Sequence, residues 1–261
     1  MIDLHVHLLP GIDDGPPTLE RAVAMCRRAA EDGCTDLVAT PHQRHEFWWN
    51  GEVEPLRTLK DELETELQER MDNPPRLHLG AEVRVGEGLL EALDSRAEGD
   101  PENGALPLAG SRYLLLELSR YVPEPDPAGL IHEVVVAGWR PILAHPEQIH
   151  WLVDDLPLVE RLVGIGAMLQ VTGASVLGNY GRATRDRARA LLDAGLAHFL
   201  ASDGHDLDAR PPGLSAARTA VGRRWGDDVA ELLTETNPRA VLDDRPLPSP
   251  DETFSQNGTH V

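Results

Sequence analysis

Seven short apolar runs recur along the chain, and most of them end in a histidine or a carboxylate. The first, residues 1–7, alternates. In a β-strand alternate residues share a face, so His5 and His7 point the same way while Leu4 and Val6 turn into the packing. Pro10 and Gly11 stop regular pairing, and the loop that follows returns Asp13 and Asp14 over the strand end. Further strands are predicted over 36–40, 77–83, 113–118, 140–144, 167–172 and 196–202. Helical spacing of apolar positions predicts helices near 18–33, 55–71, 128–137, 184–194, 214–224 and 227–234. Thr18 is placed to cap the first helix and Gly33 to end it.

Strand alternating with helix, in short and nearly uninterrupted apolar strands, argues for an α/β fold with a parallel sheet. A closed barrel of this kind brings every strand end to one rim, and 261 residues suit one such domain. The segment 94–112, rich in Asp, Glu, Pro and Gly, reads as a surface excursion. One domain over 1–243 is expected, with 244–261 a mobile C-terminal tail.

Charge narrows the function. With 24 basic against 44 acidic residues the formal charge is −20, which repels nucleic acid phosphates and anionic membrane. Lys60 is the only lysine, so a lysine Schiff base or a P-loop lysine has almost no candidate. Cys26 and Cys34 form no C-x-x-C pair and read as reduced, buried thiols of a cytosolic protein. No apolar run approaches the ~18 residues of a membrane span, and no signal segment opens the chain, so a cytoplasmic protein without membrane insertion is expected.

The strand ends carry the chemistry. His5 and His7, His42, Glu82, Glu117, His145, then Asp203 and His205 stand at or just after six of the seven predicted strands. Buried strand ends otherwise favour apolar residues, so this pattern predicts a multinuclear metal site. The aromatic cluster Phe47, Trp48 and Trp49 marks a loop that folds over something, with the tryptophans as candidate substrate-stacking residues. His45, His78, His132, His198 and His260 read as ordinary surface or packed histidines.

Taken together, His5-Val6-His7, Asp13-Asp14-Gly15, Thr40-Pro41-His42, Gly80-Ala81-Glu82, Leu116-Glu117-Leu118, Ala144-His145-Pro146-Glu147 and Ala201-Ser202-Asp203-Gly204-His205 resemble the polymerase and histidinol phosphatase (PHP) superfamily. Within it the likeness is to the manganese-dependent bacterial protein-tyrosine phosphatases of capsule and exopolysaccharide operons, over about residues 1–243. The resemblance implies a distorted seven-stranded TIM-like barrel, (β/α)7, holding three divalent ions, with Mn2+ favoured over Fe or Zn. It implies that His5, His7, Glu82 and Asp203 hold one ion, Glu82 with Glu117 and His145 a second, and Asp14, His42 and His205 a third. His42, Asp203 and His205 are the catalytic assignments. Four carboxylates against three divalent ions leave a local positive surplus suited to a phosphate dianion, attacked in line by a metal-bridging hydroxide. The implied substrate is a phosphorylated protein, for instance a tyrosine kinase of polysaccharide export; the alternatives are a small phosphomonoester of the histidinol phosphate kind, or a metal-bound regulatory module that has lost catalysis. One departure stands out. That branch carries an arginine after His-x-Glu where this chain has Gln148, and Arg44, Arg182 or His150 are the expected substitutes, so Arg44, Gln148 and Arg182 are the candidate substrate contacts.

Overall fold

The structure, a computed structural model, describes residues 1–97 and 105–248. Each predicted apolar run contains strand: β1 (Ile2–Val6), β2 (Asp36–Ala39), β3 (His42–Gln43), β4 (Arg76–Leu79), β5 (Glu82–Arg84), β6 (Tyr113–Glu117), β7 (Arg140–Ala144), β8 (Met168–Thr172) and β9 (Phe199–Ala201). Two runs are broken. Pro41 has no N–H to offer a ladder and separates β2 from β3. Gly80 separates β4 from β5: a Cβ there would lie 2.8 Å from Leu108 Cδ2 and 3.1 Å from Leu108 Cα, so only glycine admits the turn Leu108–Gly110 against the strand.

All strand pairs are parallel, in the orders β1-β2-β4 and β3-β5-β6-β7-β8-β9. The α/β fold with parallel strands is as expected, and the strands form two parallel sheets, divided where Pro41 and Gly80 interrupt the ladder. The end of β1 meets the chain beyond β9. His7 N–H donates to the Gly204 carbonyl at 2.8 Å, and Asp203 N–H donates to the His5 carbonyl at 2.9 Å.

Alternation along the strands sorts the core into two clusters. Leu37, Ala39, Leu114, Leu116, Leu143, Leu169 and Val171 face the helices, while Ile2, Leu4, Val38, Tyr113, Leu115, Ile142 and Phe199 pack on the opposite strand face. Glu117 shares the parity of Tyr113 and Leu115, so the strand that buries them also lifts its carboxylate to the rim. In β1 the parity changes midway: the register with β2 shifts between Asp3 and Val6. Ile2 and Leu4 lie on the inner face, yet beyond the irregularity His5 and His7 do too, while Val6 and Leu8 join the helix-facing cluster. A bulge is the device that re-aims side chains in this way.

The predicted helices are present as Leu19–Glu31, Val53–Arg70, Pro127–Val136, Arg182–Asp193, Ser215–Trp225 and Asp227–Glu231. The periodicity did not expose Leu156–Gly164, which starts at an Asp155 cap accepting from Leu158 N–H at 3.2 Å, nor Asn237–Leu242. A further short helix, Gly173–Leu177, follows β8 directly. Of the expected mobile tail, 249–261 lie outside the described residues, but its start is anchored. The Arg112 guanidinium donates to Asp244 at 3.0 Å, the Tyr113 hydroxyl donates to the Arg245 carbonyl at 2.6 Å, and Leu247 packs on the inner cluster. The stretch 98–104 of the expected surface excursion also lies outside the described residues.

At the opposite end of β2 from the metal-ligand candidates, buried Asp36 ties three elements together. Arg76 donates to it twice at 2.8 Å, Arg239 donates at 3.0 Å and His78 Nε2 lies 3.0 Å away. Burial opposes its ionisation, but these partners and Thr35 outweigh burial and hold the carboxyl well below the usual range. Asp36→Asn should lower stability by about 2 kcal/mol, the partners' exposure reducing the full effect of a broken buried pair. Because the folded-state pKa is depressed, this contribution should be complete above about pH 4 and fade as the pH falls further. Denaturant unfolding of both proteins at pH 7 and pH 3 measures it: the gap narrows at the lower pH.

Candidate metal centre

Nine side chains from six strand ends converge on one cluster: His5 and His7 of β1, Asp14 of the following loop, His42 of β3, Glu82 of β5, Glu117 of β6, His145 after β7, and Asp203 and His205 after β9. All nine expected metal ligands are thus together, and all but Asp14 are buried. Glu82 lies at the middle. Its Oε2 is 3.5 Å from Nε2 of both His5 and His7 and 3.0 Å from His42 Nδ1, and its Oε1 is 2.7 Å from His145 Nε2. Asp203 Oδ1 stands 3.5 Å from His5 Nε2 and 3.8 Å from His7 Nε2. Asp14 Oδ1 lies 3.3 Å from His42 Nε2 and 3.2 Å from His205 Nε2. Ligand-type atoms fall into four overlapping groups: His5, His7 and Asp203; His5, Glu82 and His145; His42, Glu82 and Glu117; and His7, Asp14, His42 and His205.

Backbone strain helps aim them. By strand parity His145 would turn to the helices, but its φ of 34° places it in the left-handed region; Asp203, at φ 53°, is there too. Non-glycine residues adopt that conformation at a cost and mostly where function requires it.

The arrangement fits cations better than protons. Nε2 atoms of His5 and His7 face each other at 3.3 Å, a contact satisfied when both offer lone pairs to one positive ion. His145 Nδ1 is buried without a hydrogen-bond partner, and His42 Nδ1, Glu117 Oε2 and His205 Nε2 are buried beside charged neighbours without hydrogen-bond geometry to them, an arrangement that protein interiors otherwise avoid. Burial lowers the basicity of His5, yet Glu82 and Asp203 overcome it and hold the ring up to about 9; Glu82, Asp14 and Glu117 raise His42 against burial to about 11. Glu82, Asp203 and Asp14 are correspondingly held below the carboxylate range despite burial, the first two by surrounding imidazoles and Asp14 also by Arg210. Imidazole and carboxylate donors without a thiolate suit a divalent ion.

A second ring orients the first. His5 Nδ1 is 2.8 Å from Gln170 Oε1, and His7 Nδ1 is 2.8 Å from Asp13 Oδ2, which also accepts from His42 N–H at 3.1 Å. Donating Nδ1–H leaves each Nε2 lone pair free for a metal. Gln170 escaped the sequence reading, although a polar residue inside the run Met168-Leu169-Gln170-Val171 was a signal. Asp13 is an orienting group, which explains two adjacent aspartates with one on each task.

The expected replacements for the missing arginine have partners of their own. Arg44 lies over the Trp49 ring at 5.3 Å and donates to the Glu87 carbonyl at 2.8 Å; Arg182 has 86% of its side chain exposed and pairs with Asp186. His150 is exposed, and Gln148 Nε2 points at Thr172 Oγ1 from 3.5 Å. Two other arginines touch the ligand carboxylates: Arg210 donates to Asp14 Oδ2 at 2.7 Å, and Arg84 lies 3.2 Å from Glu117 Oε2. Trp48 stacks on His42, with ring centroids 5.1 Å apart and planes 7° apart, so it braces a candidate ligand. Cys26 and Cys34 are free and buried, and burial pushes both thiols above their usual range. Among the described residues no helix is long and apolar enough to cross a membrane.

Known proteins share this architecture. A chain from the crystal structures of YwqE of Bacillus subtilis and CpsB of Streptococcus pneumoniae, described as metal-dependent tyrosine phosphatases, superposes with a TM-score of 0.87 at 28% identity, covering 95% of this chain and 96% of that one. CapC of Staphylococcus aureus is 34% identical over 215 residues, 81% of this chain and 79% of its own length. The tyrosine-protein phosphatase YwqE of B. subtilis is 29% identical over 240 residues, 90% of this chain and 89% of its own. The phosphotriesterase homology protein of Escherichia coli, at 11% identity and a TM-score of 0.54 over 91% of this chain and 96% of that one, shares the fold alone. Residues 1–243 match the family described as capsular polysaccharide synthesis, CpsB/CapC, and the chain belongs to that family.

Proposed function

We propose that this chain is a metal-dependent protein-tyrosine phosphatase of capsule or exopolysaccharide regulation, acting in the cytoplasm on a phosphorylated protein such as a tyrosine kinase of polysaccharide export. The observation that carries the reading is the buried Glu82-centred cluster in a chain that shares its fold and family with metal-dependent tyrosine phosphatases. We assign three divalent ions to it, Mn2+ in preference to Fe or Zn: one to His5, His7, Glu82 and Asp203, one to Glu82, Glu117 and His145, and one to Asp14, His42 and His205. The seven strand positions, joined end to end through His7 and Gly204, support a distorted barrel whose rim is this site.

Divalent ions held there by these imidazoles and carboxylates would supply Lewis acidity toward a phosphoryl group and toward the attacking water. The chain's own residues do the rest. Gln170 and Asp13 fix the tautomers of His5 and His7, and Trp48 holds the His42 ring flat. Arg210, anchored by Asp14, takes the part of the arginine that Gln148 lacks and offers its remaining N–H groups to phosphoryl oxygens. The Tyr180 hydroxyl is buried without a partner; burial and the field of Asp203 keep it protonated, raised to about 12, and so available as a donor. Arg84, 3.2 Å from Glu117 Oε2, holds that carboxylate in place at the edge of the cluster.

Three outcomes test the reading. Purified protein supplied with Mn2+ should hydrolyse p-nitrophenyl phosphate and a phosphotyrosyl peptide, and a chelator or His42→Ala should reduce kcat at least about 100-fold; full activity in chelator contradicts the metal reading. Gln170→Leu should weaken metal affinity about 10- to 100-fold in a metal titration while the fold is kept. Arg210→Ala should raise the inhibition constant of inorganic phosphate about tenfold, where Arg182→Ala leaves it unchanged.

A further inference from the structure

Six large apolar side chains are exposed among the described residues, and four of them, Phe47 (74%), Trp49 (63%), Tyr121 (90%) and Val122 (68%), sit on two loops at the rim that carries the ligand cluster. Isolated exposed apolar residues need no explanation, but their gathering around a site mouth marks an interaction surface. Residues 44–52 follow β3 and residues 118–126 follow β6. Because β3 pairs with β5 and β5 with β6, the two loops rise two strand spacings apart, about 10 Å, with Arg84 at the end of β5 between them.

Both loops are held in shape by contacts that leave the apolar side chains outward. Arg44 N–H donates to the Trp49 carbonyl at 2.8 Å, and Asn50 Nδ2 donates to the His42 carbonyl at 2.8 Å and to the Ile12 carbonyl at 3.1 Å. Trp48 lies on His42 and Phe47 packs edge-on against Trp48 at 5.9 Å, so one aromatic series runs from a ligand to the surface. In the second loop Ser119 Oγ accepts from the N–H groups of Tyr121 (3.3 Å) and Val122 (3.0 Å), and Trp151 Nε1 donates to the Ser119 carbonyl at 2.8 Å.

We propose that these two loops are the docking surface for the residues on either side of the substrate phosphotyrosine, and that the preferred substrate is an extended segment with apolar side chains at those positions. The proposal rests on the phosphotyrosine reading above and adds the sequence context that the enzyme selects. An extended chain advances about 3.3 Å per residue, so about 10 Å spans the phosphotyrosine and one neighbour on each side. The charge of −20 disfavours acidic neighbours, and the exposed Phe47, Trp49, Tyr121 and Val122 make apolar side chains the complement to this rim. Preorganised loops favour such docking because little order has to be imposed on binding.

The test compares two phosphotyrosyl pentapeptides that differ only in carrying leucine or serine on either side of the phosphotyrosine, with p-nitrophenyl phosphate as the small substrate. The Mn2+-loaded protein should favour the leucine peptide about tenfold in kcat/KM. Phe47→Ser and Tyr121→Ser should each raise KM for the leucine peptide and narrow that preference, with the constants for p-nitrophenyl phosphate and the metal content unchanged. Equal turnover of both peptides, or a preference that survives both substitutions, overturns the inference while leaving the phosphotyrosine reading intact. So does a change in sedimentation of either variant without a change in peptide KM, which would make the surface a self-association face. Turnover of p-nitrophenyl phosphate with neither peptide hydrolysed overturns the phosphotyrosine reading and the inference with it.

Discussion

Glu82 is 1% exposed and stands within 3.5 Å of four imidazoles, and this one buried carboxylate sets the demands that the rest of the rim meets. A charge so placed is costly unless it is compensated by charges as close. The strand that carries Glu82 is interrupted just before it, at Gly80 and Ala81, and the chain carrying His42 is interrupted just before that residue, at Pro41. Both interruptions lie where β3 and β5 pair, His42 opposite Glu82, so the irregularity that divides the sheet also presents the two side chains to each other. On the far side, the bulge in β1 and the left-handed backbones of His145 and Asp203 aim the other ligands inward. Departures from regular strand geometry thus collect at the ligands, while the opposite end, tied by Asp36, is made of ordinary pairing and ion contacts.

The candidate ligands were legible because, Asp14 apart, they are local in sequence: each closes or closely follows an apolar run, and strand parity puts His5 beside His7 and Glu117 above Leu115 without reference to any other part of the chain. What parity alone does not reveal is a change of parity. The β1 bulge depends on Asp3, whose carboxylate accepts from Ser202 N–H at 3.0 Å and His5 N–H at 3.3 Å, and Ser202 is far away in sequence. The break at Gly80 similarly depends on Leu108, and the anchoring of Asp244 on Arg112. Long-range contacts of this kind leave no period in the sequence.

The partners of the arginines around the site were less legible for the same reason. Arg44 and Arg182 are near the site along the chain, but an aromatic ring and an i,i+4 aspartate offer each a nearer partner. Arg210 lies far from Asp14 in sequence and reaches it only because the end of β9 folds onto the end of β1. The two tryptophans of the loop after β3 differ in setting: Trp48 stacks on His42, and Trp49 lies open at the rim. The aromatic residues of this loop therefore form a series that joins a metal-ligand candidate to an outward apolar surface.

Metal stoichiometry tests the central claim most directly, that Glu82 organises one cluster of bound ions. Elemental analysis of the protein equilibrated with Mn2+ and then desalted should give about three equivalents per chain, the number proposed for its nine candidate ligands, and Glu82→Ala should retain one or fewer because the substitution would remove a residue that two of the proposed positions share. A wild-type protein that retains no divalent ion, or a Glu82→Ala variant that retains as much as the wild type, would contradict the account.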